Sequence, residues 1–339
     1  MQNAIEYDQI VAIDYAERNV AVARLTKRAK KPQVIEGAMK VADLQQYLSR
    51  LSGRILLIIE ETTTAHYLYC ELRGYVEKVL ICDPFTNRLL GSGPKNDKID
   101  AAKLAMLGRG GLLKEVFHAC DELMSLRQLV SAYADAVYSS VRLQNQKAAL
   151  CRQLGATDTA APQAAEPTAE FIINGVDRQL AENDSVREKF VREFMRWKRR
   201  DIRLRHLCNV PGIGIINAVK VLARVINARR FPKSGNFLGY CGLVMLEKKT
   251  GGRWLGQRRP RYCRTLKSVY KTAAMAAIGG NNDMNDFYEE QLRRGVAEHN
   301  ARHAVARQIA VATYGMLKHG TPYQPYKWRK KNRPIVDKD

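Results

Sequence analysis

The sequence predicts an α/β domain followed by a mainly α-helical one. Three observations carry this: β-rich apolar runs crowd the first hundred residues, helical periodicity dominates the rest, and cations greatly outnumber carboxylates. With 339 residues, 46% of them hydrophobic, the chain is long enough to bury a core in each of two domains.

The segment QIVAIDYAERNVAVARL reads as two strands joined by a polar turn at residues 17–19, and KPQVIEGAMKV supplies a third. VADLQQYLSRL is amphipathic at helical spacing. GRILLIIEE is almost continuously apolar, which suits a strand buried on both faces. A helix around AHYLYCELRGY leads to a short strand, KVLICDP, and a Gly/Pro/Asn loop then opens the helix IDAAKLAMLGRG. The order is βββαβαβα. Three antiparallel strands followed by parallel units with helices between them is the order of an RNase H-like fold.

Residues 121–154 read as one long helix with its apolar and Ala positions on one stripe and Arg127, Arg142 and Lys147 among its polar ones. GATDTAAPQAAEPTAE has almost no large apolar residues and reads as a linker or exposed loop. Helical pattern resumes at DRQLAENDSVREKFVREFMRWKRRDIRLRHL, so two antiparallel helices are expected. Beyond lie NVPGIGIINAVKVLARV, a Gly-rich basic loop through Arg264, and helices over 266–278 and 301–319. The expected domains are 1–117, 118–205 and 206–339.

Lys plus Arg number 56 against 34 Asp plus Glu, a formal charge of +22 that calls for a polyanionic partner, with nucleic acid first. No apolar run approaches the eighteen or so residues of a membrane span, and MQNAIEYDQI lacks the basic-then-apolar order of a signal peptide. A cytoplasmic protein without a membrane partner is expected. The seven cysteines, Cys70, Cys82, Cys120, Cys151, Cys208, Cys241 and Cys263, are scattered and never spaced CxxC, so buried thiols are expected rather than a disulfide framework or zinc site.

Asp14 ends the first apolar run, Glu60 ends the buried one, and Asp97 and Asp100 lie three apart at a helix start, hence on one helix face. In the inferred fold these four carboxylates converge, giving the oxygen donors that Mg²⁺ or Mn²⁺ requires. Two such ions would serve an in-line phosphoryl displacement. A strand-end carboxylate is more often a cap or solvated turn, so it is the joint placement that argues for metal. VPGIGIINAVKVL has the pattern of a helix-hairpin-helix, in which Gly212 and Gly214 would offer backbone N–H groups to a DNA phosphate; the alternative is a plain helical turn with a Gly cap. EKKTGGRWLGQRRPRYCRTLK gathers Lys248, Lys249, Arg253, Arg258, Arg259 and Arg261 around glycines and the aromatics Trp254 and Tyr262, which suits phosphate binding more than a merely solvated face. The tail YKWRKKNRP is a less specific basic end.

Through VAIDYAERNVAVARL, IIEETTTAHYL and KNDKIDAAKLA, and then VPGIGIINAVKVLARVINARRFPKSGNFLGYCGL, TGGRWLGQRR, LKSVYKTAA and FYEEQLRRGVAEHNARHAVARQIAVATYGMLKHGTPY, the chain resembles the IS110/IS1111 family of transposases, which includes the pilin-gene invertases. The resemblance implies a RuvC-like RNase H domain, a coiled-coil insertion and a second transposase domain, with catalytic carboxylates at Asp14, Glu60, Asp97 and Asp100; Glu61 is a one-residue alternative to Glu60. It implies action on double-stranded DNA as an oligomer, in some members guided by a structured RNA from their own element. Two departures stand out. Thr250, in KKTGG, replaces the family's nucleophilic serine, and PRYCRTLK stands where a Gly-Asn pair is usual. Ser234 also precedes a glycine but lies ahead of that loop and is read as a helix cap. Three functions follow: a recombinase with a C-terminal hydroxyl nucleophile, an endonuclease that only hydrolyses, and a domesticated nucleic-acid binder that does not cut.

Overall fold

The computed structural model describes residues 7–16, 18–84, 96–118, 122–155, 167–258 and 260–328, and the chain divides into two compact units, Met1–Asp121 and Glu122–Asp339. In the first, the expected element order holds: β1 (Gln9–Tyr15), β2 (Val20–Thr26), β3 (Gln33–Gly37), α1 (Val41–Ser49), β4 (Ile55–Glu60), α2 (Ala65–Leu72), β5 (Lys78–Cys82) and α3 (Asp97–Arg109). A two-residue strand, β6 (Glu115–Val116), closes it. The sheet order is β3-β2-β1-β4-β5-β6, with β1 to β3 antiparallel, β1-β4 and β4-β5 parallel, and β6 antiparallel to β5.

Central strands β1 and β4 are apolar at almost every position because both faces of the sheet are covered. One face sets Val11, Ile13, Leu57 and Ile59 against Leu44 and Leu48 of α1 and Leu68 and Leu72 of α2. The other sets Ile10, Ala12, Leu56 and Ile58 against Ala101, Leu104 and Ala105 of α3. Burying each large aliphatic side chain stabilises the fold by about 1.5–3 kcal/mol. Small residues bring α3 close: a Cβ added at Gly108 would lie 2.1 Å from Cδ1 of Ile58.

The second unit opens with two long helices, α4 (Glu122–Gln153) and α5 (Pro167–Arg200). They run antiparallel, since Tyr133 packs edge-on against Phe190 and Phe194 while Lys147, further along α4, pairs with Asp177 at 2.7 Å. Helix α5 begins ten residues before the sequence pattern suggested. Pro167 suits a first helical turn, where its missing N–H costs nothing, so the end of the expected linker is helical; residues 156–166 lie outside the described residues.

Next come α6 (Ile202–Cys208), α7 (Ile215–Val225), α8 (Ser234–Tyr240), β7 (Leu246–Thr250), β8 (Arg253–Arg258), α9 (Arg264–Ile278), α10 (Asp283–Arg293) and α11 (Glu298–His319). Their core joins Val219 and Leu222 of α7, Tyr270 and Ala273 of α9, and Ile309 and Ala310 of α11, all buried. Two buried hydroxyls meet there, Tyr270 Oη and Thr313 Oγ1 at 2.8 Å. The segment after α11 folds back on α10, where buried Asp283 accepts from Tyr323 Oη at 2.8 and 2.7 Å and from the Tyr326 N–H at 3.1 Å.

Several expectations are corrected. The basic "loop" is a β-hairpin, β7-β8. Lys233, not Ser234, is the N-cap of α8, and no side-chain cap bond forms there. Cys82, Cys151 and Cys241 are buried thiols as expected, Cys208 and Cys263 are half-buried thiols, and Cys70 is disulfide-bonded; Cys120 lies outside the described residues. No described helix is long and apolar enough to cross a membrane.

Candidate active site

Strand pairing positions the first two carboxylates. β1 and β4 run in parallel register from Gln9 opposite Ile55 to Ile13 opposite Ile59, and the next step of that register sets Asp14 beside Glu60. Alternation along each strand puts both on the face of Ala12 and Ile58, the face that α3 covers. On α3, Asp97 and Asp100 stand one turn ahead of Ala101 and Leu104, on the stripe that packs against the sheet. All four carboxylates are half-buried at one end of the sheet.

Electrostatics ties three of them together. The carboxyl of Asp14 is held above the usual aspartate range, first by burial and then by the like charges of Asp97 and Asp100. Asp100 has a weak counterion in Lys103 at 3.7 Å, while Lys98 turns away to Glu36 at 2.7 Å. A site where burial and two neighbouring aspartates disfavour the ionised form of Asp14 favours a cation beside it, and an all-oxygen donor set suits a hard divalent one. Among the described residues, no three His, Cys, Asp or Glu side chains lie at metal-coordinating spacing. The donors share a face and an end of the sheet without closing around a point.

Glu61 is engaged elsewhere. Its carboxylate lies 2.6 Å from Nε2 of His118, its N–H donates to the Cys82 carbonyl, and the His118 ring stacks near His66 and Tyr69. This leaves Glu60 as the carboxylate beside Asp14. Sequence reasoning missed His118, which lies 57 residues from Glu61 with no motif linking them.

In the second unit, α6 and α7 flank the Gly212–Gly214 turn. The two glycines differ. Gly212 has φ +78°, and a Cβ there would lie 2.0 Å from the Ala273 carbonyl oxygen of α9, so this glycine serves close packing. Gly214 is the N-cap of α7, with open space where a Cβ would project, and no side chain caps the first N–H groups of that helix.

Thr250 is exposed at the end of β7, opposite Arg253 across a two-residue turn. Gly251 (φ +55°) and Gly252 (φ +78°) both take the left-handed conformation a type I′ turn requires. Arg253 and Arg258 are exposed on β8, and so are Trp254 and Leu255, at 61% and 51% exposure. Arg261 is exposed just beyond the hairpin. Arg259 and the side chains of Lys248 and Lys249 lie outside the described residues.

Comparison with known proteins matches both regions. Residues 11–155, from β1 through α4, match a family model described as a transposase of the DEDD IS110 type, and residues 204–289, from α6 through α10, match the transposase IS116/IS110/IS902 family. The chain is similar to an uncharacterized 43.6 kDa protein of insertion element IS110 from Streptomyces coelicolor, 29% identical over 35% of this chain and 29% of that protein. It is 23% identical to a probable family 20 transposase of Pseudomonas aeruginosa, over 85% of this chain and 90% of that protein. A 44.8 kDa protein of insertion element IS116 from Streptomyces clavuligerus is 24% identical over 44% of this chain and 36% of its own length. The matches to the two Streptomyces proteins thus span about a third of each.

Proposed function

Because the chain belongs to the IS116/IS110/IS902 family of transposases, we propose that it cuts and rejoins double-stranded DNA, with an RNase H-like, RuvC-type first domain as its catalytic half. The carrying observation is the carboxylate arrangement: Asp14 beside Glu60 across β1 and β4, with Asp97 and Asp100 close enough to raise the Asp14 pKa. The β3-β2-β1-β4-β5 order, with helices on both faces, supports the fold reading.

Asp14, Glu60, Asp97 and Asp100 would hold Mg²⁺ or Mn²⁺, which when bound stabilises the charge that builds on attacking and leaving oxygens. The long α4-α5 pair is read as the coiled-coil insertion, and the hairpin and the α6-α7 turn as DNA-backbone contacts in which Arg253, Arg258, Arg259, Arg261, Lys248 and Lys249 supply charge. Thr250 is the nucleophile on this reading. Its Oγ1 bonds to phosphorus, the phosphodiester P–O bond to deoxyribose breaks, and the hydroxyl proton ends on the departing sugar oxygen, leaving a phosphothreonyl–DNA bond that rejoining reverses. The type I′ turn supports this by leaving Thr250 exposed beside two glycines, where a phosphate can approach. The positive charge would also accommodate a structured guide RNA from the element, and the protein would act as a cytoplasmic homo-oligomer.

Denaturing gels of DNA incubated with the protein and Mg²⁺ test the mechanism. Wild type is expected to form a covalent protein–DNA adduct, Thr250→Ser to form it at least as fast, and Thr250→Ala to form none. The extra methyl on the threonine Cβ restricts χ1 and hinders in-line attack, which sets the Ser expectation. Cleavage without an adduct would instead identify a hydrolytic endonuclease. Recombination by Thr250→Ala at the wild-type rate would move the nucleophile elsewhere.

A further inference from the structure

Among the described residues, one face of the second unit carries positive charge that no carboxylate pairs with. On α9, Lys267, Lys271 and Arg264 line a cleft of about 420 Å³ together with the hydroxyls of Ser268 and Thr272. Helix α11 packs along α9 and carries His299, His303 and Arg307 on one stripe at i, i+4 and i+8, with His303 near enough to feel both lysines as well as its two stripe neighbours. Arg307 is half-buried, and burial alone lowers its pKa. Among the described residues, no side-chain hydrogen bond or ion pair is made by Arg307, Lys271 or His303. The Lys267 ammonium lies over the ring of Tyr262, 4.7 Å from its centroid. Carboxylates of neighbouring turns are already taken: Glu298 pairs with Arg302, and Glu290 of α10 with Arg294.

A half-buried guanidinium with no acceptor among the described residues, next to a half-buried histidine that two lysines, this arginine and a second histidine all repel, is a costly arrangement in the free protein because desolvation and like-charge repulsion act together. An anion placed among these groups reverses both. Successive residues of the α11 stripe rise about 6 Å per four residues, so the cations form a row rather than a point. A row with hydroxyl donors along one edge suits successive phosphates of a strand.

We propose that the α9–α11 face is a phosphodiester-backbone site, separate from the β7-β8 hairpin and the carboxylates, in which Lys267, Lys271 and Arg307 bind phosphates and His303 completes the contact. The proposal rests on the nucleic-acid reading above and adds a site to it. Duplex DNA and structured RNA share this chemistry.

Binding there is coupled to a proton. In the free protein, burial and then Lys271, Arg307, His299 and Lys267 hold His303 below the usual histidine range; these are the charged groups facing it from α9 and from α11 itself. A phosphate among them favours the protonated ring, so the His303 pKa rises on binding and affinity grows as pH falls from about 8 to about 6.

The test uses the full chain in EDTA, with fluorescence anisotropy of a labelled DNA duplex and a labelled RNA hairpin across salt and pH. Removing two phosphate contacts with Lys267→Ala/Lys271→Ala should lower the slope of log affinity against log salt by about 2. Between 50 and 200 mM salt, wild type should then lose about tenfold more affinity than the variant. Arg307→Gln should weaken binding, and His303→Gln should flatten the pH dependence. An effect on the duplex alone names DNA as the occupant, an effect on the hairpin alone names RNA, and either supports the site. Arg253→Ala/Arg258→Ala in the hairpin is the control. If the lysine variant keeps wild-type affinity and slope for both ligands while the control weakens, the α9–α11 site is wrong and the DNA reading stands. If wild type binds neither ligand, the DNA reading itself fails.

Discussion

Gly108 lies in the last turn of α3 directly over Ile58 in β4. A Cβ there would sit 2.1 Å from Cδ1 of Ile58 but 3.5 Å from its Cγ1 and 3.7 Å from Cγ2 of Ile10, so a single methyl group is the obstacle. Gly108→Ala gains about 1 kcal/mol of helix propensity. It also forces fully buried Ile58 off its rotamer, or α3 off the sheet, at a cost of about 1–3 kcal/mol, for a net loss of up to about 2. Ile58→Val deletes that methyl and costs about 0.5–1.5 kcal/mol by itself. In the double variant the new Cβ fills the vacated space, so stability should return to within about 1 kcal/mol of wild type and the pair should couple favourably by about 1–3 kcal/mol. All three tryptophans, Trp197, Trp254 and Trp328, lie in the second unit, so fluorescence would not follow this event. Labelling of the buried thiol of Cys82, on the same face as Ile58, would follow it across a urea series. Additivity of the two substitutions within about 0.5 kcal/mol would refute the contact.

Asp14→Asn should abolish DNA cleavage yet raise the melting temperature at neutral pH. A carboxyl whose folded pKa is raised contributes stability below its unfolded value, near 3.9, and loses it as pH rises through the folded value, so the Asn variant's advantage should shrink as pH falls towards 4. A lower melting temperature for the variant at pH 7 would contradict this. Gly212→Ala should cost roughly 2–5 kcal/mol, from the left-handed φ and the collision with the Ala273 carbonyl, and lower melting by about 2–4 °C per kcal/mol. Gly214→Ala, with open space and φ −79°, should stay within about 1 kcal/mol in the same thermal melts; equal melts for the two variants would reject the packing account. Asp283→Ala strips the acceptor from Tyr323 Oη and the Tyr326 N–H at a cost of about 1–3 kcal/mol for each group left buried, and limited proteolysis should then cut after α11 well before the core opens. Unchanged resistance would mean the C-terminal segment is held by other contacts.

The first unit was legible because its signals are local. The β-rich runs of β1 and β2 around a polar turn, the unbroken apolar run of β4 and the paired aspartates opening α3 each state their element without knowledge of the rest. The two-residue β6 has no periodicity to detect and exists only because Val116 and Glu115 meet Ile81 and Cys82. The β7-β8 hairpin was misread as a loop because its residues are too basic for a half-buried strand; the Gly251-Gly252 pair was the available signal, as the dipeptide that lets two strands reverse direction. Among the site residues, sequence order identified Asp14, Glu60, Asp97 and Asp100 as candidates but not the partner that separates Glu61 from Glu60, because the His118 contact is purely tertiary. In the same way, PGIG suggested two equivalent glycines, and only the approach of α9 distinguishes Gly212 from Gly214.

The offset between β1 and β4 has a consequence for how this lineage can change length. Asp14 and Glu60 share a face because their strands pair at a constant separation of 46 positions, from Gln9 with Ile55 to Ile13 with Ile59. Residues gained or lost in the turns after β2, β3 or α1 alter that number harmlessly, since the strands can still dock in the same alignment. One residue gained or lost inside β1 or β4 sends every side chain beyond it to the opposite face, carrying one carboxylate away from α3 and an aliphatic residue into its place. Viable insertions and deletions between these two residues should therefore fall in the connecting turns, however far the surrounding sequence diverges.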